Sequence, residues 1–246
     1  MHEAHQLTFP RTSNPLVSVL LPTRGRSEWL LKSVDSLHSQ AVHKDKIEYL
    51  FRADPDDLET ISTCSRLVNT LPNAVLNVEP RGRGYLDMHF WISKLASMAR
   101  GDWLLIWNDD AMMKTPHWDD LLLNGSVQCW HKCPDVYMYV LPSRGRPGCY
   151  EFMFLRRSVT QILGHWSLSP HNDNWIMRVM LGVNSVCGIP IEVDHLSDRM
   201  TDKIREETVA AYGDGQLARE TLESPWAQKA IEEDIRKLAE HIQKNV

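Results

Sequence analysis

The chain has 246 residues, 43% hydrophobic and 24% charged, with a formal net charge of -5. That length and balance suit one large α/β domain with a substantial core. The acid excess argues against nucleic acid as the main partner, and no apolar run approaches the ~20 residues of a membrane-crossing helix.

Residues 1–14 are polar, carry His2, His5 and Arg11, and show neither signal-peptide nor anchor pattern; they read as a flexible arm. Residues 16–21 form an apolar strand ended by Pro22, after which come Thr23-Arg24-Gly25-Arg26. Ser27 is placed to cap a helix whose stripe is Leu30, Leu31, Val34 and Leu37. A second strand, 47–53, closes on Asp54-Pro55-Asp56-Asp57. Asp56 with Glu59 resembles a capping box, and Leu58, Ile61 and Val68 make the next helix face. A third strand, 75–78, delivers Arg81-Gly82-Arg83-Gly84, and a helical stripe runs through Tyr85, Met88, Ile92, Leu95 and Ala99. Then Gly101-Asp102 starts an apolar run, 103–107, that leads directly into Asn108-Asp109-Asp110.

Beyond Asp110 the alternation loosens. Thr115-Pro116 suits a helix start. Residues 137–141 and 151–155 read as strands joined by the loop 142–148, which carries Arg144 and Arg146. A helix over 174–181 ends at Gly182, and an apolar run spans 186–193. From 201 onward the chain is charged and helical, broken at Gly213-Asp214-Gly215. Pro225 opens a last helix with the stripe Ala230, Ile231, Ile235, Leu238 and Ile242.

Strand-helix alternation in ~30-residue units predicts βαβ crossovers and a mainly parallel mixed sheet flanked by helices. In such a sheet the carboxyl ends of neighbouring strands share one edge, where open α/β folds bind ligands. The first half of the chain therefore brings basic, acidic and potential metal-holding groups together. Taken alone, Asn108-Asp109-Asp110 fits a solvated turn as well as a cation site. As the last of a series of polar strand ends it fits a nucleoside diphosphate better, with arginines for phosphate, a carboxylate for base or ribose, and Mn2+ or Mg2+ bridging the phosphates.

Ser18-Val19-Leu20-Leu21-Pro22-Thr23-Arg24-Gly25-Arg26 resembles the opening strand of family 2 glycosyltransferases, which have the GT-A fold. Residues 101–110 resemble the strand leading to that family's Asp-x-Asp metal motif, and Thr115-Pro116-His117-Trp118 its following Pro-x-Trp. The resemblance covers about 16–195. It implies a GT-A-like catalytic domain over 15–200, with a nucleotide-binding half at 15–110, an acceptor half at 111–200 and a helical extension at 201–246. It implies transfer of a sugar (hexosyltransferase-like, EC 2.4) from a nucleoside diphosphate sugar to an acceptor hydroxyl, with inversion. Carried over by position, Pro22, Thr23, Arg24 and Arg26 surround the nucleotide, Asp54 contacts the base, and Arg83 and Asp109 join the donor-binding set. Asp110 is the main metal ligand. Asn108 stands where the family has its first Asp, and His195 is a further metal or phosphate ligand. Asp173, in His171-Asn172-Asp173-Asn174-Trp175, is the general base by the same resemblance; as a residue it equally suits a helix cap.

Among the nine tryptophans, Trp166 or Trp175 could offer a sugar-stacking platform, while Trp29, Trp91 and Trp226 fit helical packing positions. The five cysteines, Cys64, Cys129, Cys133, Cys149 and Cys187, are odd in number and scattered, which suggests no disulfide framework and a reducing cytoplasm. Cys129-x3-Cys133 flanks His131 without a second ligand pair at zinc spacing. Three rivals remain. Gly82-x-Gly84-x-x-Asp87 partly matches a dinucleotide fingerprint and suggests an NAD(P)-binding oxidoreductase. A sugar-nucleotide nucleotidyltransferase shares the architecture but calls for a Gly-rich first loop. A non-catalytic sugar-nucleotide or carbohydrate-binding module fits the loss of the first metal-motif Asp.

Overall fold

A computed structural model describes residues 5–8, 15–123, 133–141, 143–144, 151–196, 203–212 and 221–245. Its centre is an eight-stranded mixed sheet. Strands β2 (Val17–Pro22), β3 (Ile47–Ala53), β4 (Ala74–Val78) and β5 (Trp103–Ile106) lie parallel in the order β4-β3-β2-β5. Beyond β5 come β9 (Phe152–Arg156), antiparallel to it, then β7 (Met138–Leu141) and β10 (Val186–Gly188). A second small sheet joins β6 (Ala111–Met113), β11 (Val193–His195) and β8 (Ser143–Arg144).

The mostly apolar composition of β2 to β5 is explained by burial on both faces; the polar exceptions Ser18, Glu48, Arg52 and Asn77 are buried too, Ser18 donating to Glu48 at 2.6 Å. Val17, Val19 and Leu21 point to one face, against α1 (Ser27–Ser39) and α2 (Leu58–Thr70); Leu20, Leu50 and Val75 point to the other, against α3 (Met88–Met98). That second face also holds α5 (Arg157–Leu163), α6 (Asn172–Gly182) and the last helix, α8 (Pro225–Asn245). α4 (Trp118–Leu123) packs on the first face, where Trp118 and Leu122 are buried in the same core as α1 and α2, and α7 (Lys203–Tyr212) precedes α8 in the chain. Ala227, Ile231, Leu238 and Ile242 of α8 are all buried in this core. α6 and α8 meet so closely at Gly182 that an added Cβ would lie 2.4 Å from Ile235 Cδ1.

Several local expectations need correction. Within the arm read as flexible, β1 (His5–Thr8) pairs antiparallel with β4 and extends the sheet edge. Ser27 does not cap α1: the N-cap is Arg26, without a side-chain cap bond, and Ser27 Oγ is buried without a partner. The cap of α2 is Asp57, one residue after the predicted Asp56, accepting from Thr60 N–H at 3.1 Å. The helix start read at Thr115-Pro116 falls instead at Trp118. The apolar run 186–193 is not one strand. It holds β10 and the start of β11, strands of different sheets, on either side of Ile189-Pro190, and proline, which cannot donate to a ladder, lies in neither. Cys187 is disulfide-bonded, its partner lying outside the described residues, whereas Cys64 and Cys133 are free. An odd count excludes complete pairing and leaves a single bridge open. Among the described residues no helix is long and apolar enough to cross a membrane.

Candidate active site

The register of β2 on β5 places Leu20 opposite Ile106, so the segments leaving both strands emerge side by side. Helix α1 fixes the second of them: Trp107 Nε1 donates to Ser33 Oγ at 2.8 Å, and Ser33 Oγ donates to the Asn108 carbonyl at 2.8 Å. Antiparallel pairing sets His195 of β11 opposite Ala111, next to Asp110. The chain is thereby forced to gather charge. Thr23 Oγ1 donates to Asp109 at 2.9 Å, and Arg26 Nη1 reaches Asp109 at 3.2 Å and Asp110 at 3.1 Å. His195 Nε2 lies 3.1 Å from Asp110 Oδ1 and 3.2 Å from the Asn108 amide, while its Nδ1 lies 2.5 Å from Glu151 Oε2.

These contacts set the protonation states. Burial pushes the Asp109 carboxyl up to about 6, against the pull of Arg26. Burial also penalises Asp110, but the hydrogen bond and charge of His195, with Arg26, outweigh it and hold Asp110 below the usual carboxylate range. Burial alone would lower His195; its bonds to Asp110 and Glu151 prevail and push it up to about 9. At neutral pH His195 is then an imidazolium, with both ring N–H groups donating. The Asn108 amide must therefore turn its oxygen, not its nitrogen, toward Nε2.

This donor set fits a hard or borderline divalent ion: carboxylate and amide oxygens with one imidazole. The Asp110–His195 and Asn108–His195 separations, 3.1 and 3.2 Å, are hydrogen-bond contacts, and they bring the three donors to one place.

The neighbouring strand ends build a different cluster. Asp54, 1% exposed, is bonded by Arg52 and by Arg24 Nη1 at 2.9 Å, with Arg81 Nε at 3.9 Å. Arg24 also forks onto Asp56 at 2.7 and 2.9 Å. Arg52 donates to the carbonyls of Glu79 and Pro80 at 3.0 and 2.8 Å, and its guanidinium lies 3.7 Å from the Trp91 ring centre. Pro22 pairs with Arg52 across β2 and β3, which puts it at the same edge. Arg81 reaches Glu207 of α7 at 2.5 Å. Arg83 is not drawn into either cluster. Its guanidinium folds onto Asp87 at 2.6 and 2.8 Å, and its side chain is 65% exposed.

Asp173 sits in the first turn of α6, half-buried. The N-cap there is His171, with no side-chain cap bond. Burial raises the Asp173 carboxyl above the ordinary range; the negative charge of Glu151 adds to this, and the amides of Asn174 and of Asp173 itself oppose it. The coupling to Glu151 ties Asp173 electrostatically to the His195 cluster. Glu151 is the residue the sequence did not single out. The available signal was His195 itself, since a ligating imidazole usually gives its other N–H to a carboxylate. Trp166 and Trp175 are fully buried and cannot stack on a sugar; their indole N–H groups donate to the Asn172 carbonyl and to Asp234. The Arg144 side chain and Arg146 lie outside the described residues.

No known family profile matches this chain, and no curated protein does. Solved structures do resemble it. S. aureus TarS 1-349 in complex with UDP superposes with a TM-score of 0.58 at 13% identity, over 94% of this chain and 83% of that one. The mannosyltransferase PcManGT from Pyrobaculum calidifontis, in complex with GDP-Man and Mn2+, gives 0.57 at 16% identity, over 91% and 75%. TarS 1-349 in complex with UDP-GlcNAc gives 0.56 at 13% identity, over 90% and 72%. At such identities the likeness is one of fold. The chain has a GT-A-like α/β fold, with a central mostly parallel sheet flanked by helices.

Proposed function

We propose that this chain is a metal-dependent glycosyltransferase that moves a sugar from a nucleoside diphosphate donor to an acceptor hydroxyl. One observation carries the proposal. Asp110 and Asn108 both come within hydrogen-bond distance of His195 where β2 and β5 end side by side, a donor set suited to a divalent ion. Support comes from the fold neighbours, which were solved with UDP, UDP-GlcNAc or GDP-Man, one of them with Mn2+.

Asp110, Asn108 and His195 would hold Mn2+ or Mg2+. When bound, such an ion offsets the charge that develops on the leaving diphosphate. Asp109 is placed to support this shell through Thr23 and Arg26. Arg26 can turn toward phosphate once the ion compensates its carboxylates. At the base end, Arg24, Arg52 and Asp54 provide a fixed polar wall, with Pro22 beside it. Asp173, its basicity raised by burial, takes the proton from the acceptor hydroxyl as the oxygen attacks the anomeric carbon, displacing the diphosphate with inversion. Arg83 can reach the donor only by leaving Asp87.

The dinucleotide alternative is disfavoured by the same loop. A Cβ on Gly82 would lie 2.4 Å from Asp87 Oδ2, and Asp87 accepts the Arg83 backbone N–H at 2.8 Å. A carboxylate thus fills the place where pyrophosphate would meet backbone amides. The test is incubation with UDP-, GDP- and TDP-sugars and Mn2+. Metal-dependent release of nucleoside diphosphate is expected. Binding without release or transfer would leave a binding module, and preference for NAD would overturn the proposal.

A further inference from the structure

At the edge of the sheet where β5 and β7 begin, opposite the edge that carries the donor loops, the fold creates a ligand set that sequence spacing did not complete. Cys133, Asp135 and His241 offer a thiol sulfur, a carboxylate oxygen and a ring nitrogen, all within 4.8 Å of one another. The first two lie in the turn leading to β7. The third is 106 positions further along than Asp135, on α8. Cys133 opens a tight turn, with Val136 N–H donating to its carbonyl at 3.2 Å, and Ser158 Oγ of α5 pins the Asp135 carbonyl at 2.5 Å. His241 is held between Leu238 and Ile242, both buried in the core. Its position is therefore set by helix packing, independently of the turn.

The decisive atom is His241 Nε2, which is buried and has no hydrogen-bond partner. A buried imidazole nitrogen in a native fold normally has one, and here a soft sulfur and a carboxylate oxygen lie within ligand reach of the ring. The combination of thiolate, imidazole and carboxylate is the donor chemistry of Zn2+ and of its spectroscopic substitute Co2+; the hard ions suited to the oxygen-rich Asp110 site do not favour sulfur. Exposed Asp135 leaves an open side for entry and for a water as fourth ligand.

We propose that Cys133, Asp135 and His241 form a second metal site, of zinc type, that clamps the C-terminal helix to the turn entering β7. Binding forms bonds to the Cys133 thiolate and the His241 imidazole and releases the thiol proton to solvent. The site does not depend on the chain being a glycosyltransferase.

The test uses the whole protein, stripped with a chelator and titrated with Co2+ under nitrogen. The expected result is a near-ultraviolet sulfur-to-cobalt charge-transfer band that saturates with Co2+ and is bleached by Zn2+. Zn2+ should also raise the unfolding temperature. Both effects should be lost in Cys133→Ser and in His241→Gln, and kept in Asp110→Ala, which removes the main ligand of the other site. Absence of the band from the wild-type chain would overturn the proposal, a result that no failure of a variant to fold can imitate. So would its persistence in Cys133→Ser, an unchanged Co2+ affinity in His241→Gln, or its loss in Asp110→Ala.

Discussion

Two buried carboxylates on one sheet edge, Asp54 and Asp110, are compensated in opposite ways. Asp54 is bonded by Arg52 and Arg24, with Arg81 close by, and arginine does not give up its proton. Arg52 is in turn fixed by two backbone carbonyls and the Trp91 ring. That end is a closed lattice. Asp110 is compensated by His195 and by an Arg26 it shares with Asp109. A proton on His195 can exchange for a metal ion, and Arg26 can be redirected to phosphate. Charge density alone therefore does not mark a reactive centre. What distinguishes the Asp110 end is that its counter-charges are replaceable, and this difference assigns a platform role to the first cluster and chemistry to the second.

The strongest way to break this contrast is Asp110→Ala, which should lower kcat/KM by about 1,000-fold or more, since a catalytic metal supplies several kcal/mol. Mn2+-dependent donor binding, followed by calorimetry, should disappear with it. Binding that survives would move the metal role elsewhere.

Asp173→Asn should divide the two processes. Donor affinity stays, and transfer falls on the order of 100- to 1,000-fold, within the usual range for a general base. The pH profile gives a second readout. Asp173 works only when deprotonated, and burial raises its pKa. The acid limb of kcat should then lie above the ordinary carboxylate value, activity rising with pH through it, and the limb should vanish in the variant. A limb at the ordinary value in the wild type would remove Asp173 from the reaction.

A smaller effect is expected from Glu151→Gln. Glu151 touches His195 and not the proposed ion, so it acts as a positioning residue. Second-shell changes of this kind typically weaken metal affinity about 10- to 100-fold. Saturating Mn2+ should restore most of the turnover, which distinguishes loss of positioning from loss of a ligand.

How much of this was available in the sequence depends on how local the cause is. The parallel strands were readable because residues 103–107 are apolar throughout and residues 16–21 and 47–53 are mostly so, as burial on both faces demands; Ser18, Glu48 and Arg52 interrupt the last two and are buried with polar partners. That Thr23, Asp54 and Asp110 follow the ends of strands on one sheet edge came from the parallel reading alone; their division into two clusters did not. Side-chain choices made in three dimensions were not readable. Arg83 turns to Asp87 because a partner four residues on is nearer than the cluster. Trp166 and Trp175 are consumed by packing between helices whose arrangement no short motif encodes. Glu151 meets His195 across two sheets. The apolar run 186–193 concealed a change of sheet at Pro190, since hydrophobicity does not report which ladder a strand joins.

The least effect on chemistry, and the sharpest check of the platform, comes from Arg52→Met. The side chain is 2% exposed and forms an ion pair with Asp54. Its loss leaves a buried carboxylate with fewer partners, a change that costs about 3 kcal/mol in comparable pairs and so lowers Tm by roughly 6–12 °C in a domain of this size. The folded fraction should keep kcat within a few-fold of wild type, because no group that touches the reacting atoms has moved. Replacing Asp54 as well, in Arg52→Met/Asp54→Leu, should recover part of the lost stability, since removing both charges abolishes the desolvation penalty that removing one exposes. If the double variant were instead less stable than the single, or if Arg52→Met lost kcat as severely as Asp110→Ala, the base-side lattice would be part of the reacting centre and the contrast between the two carboxylates would fail.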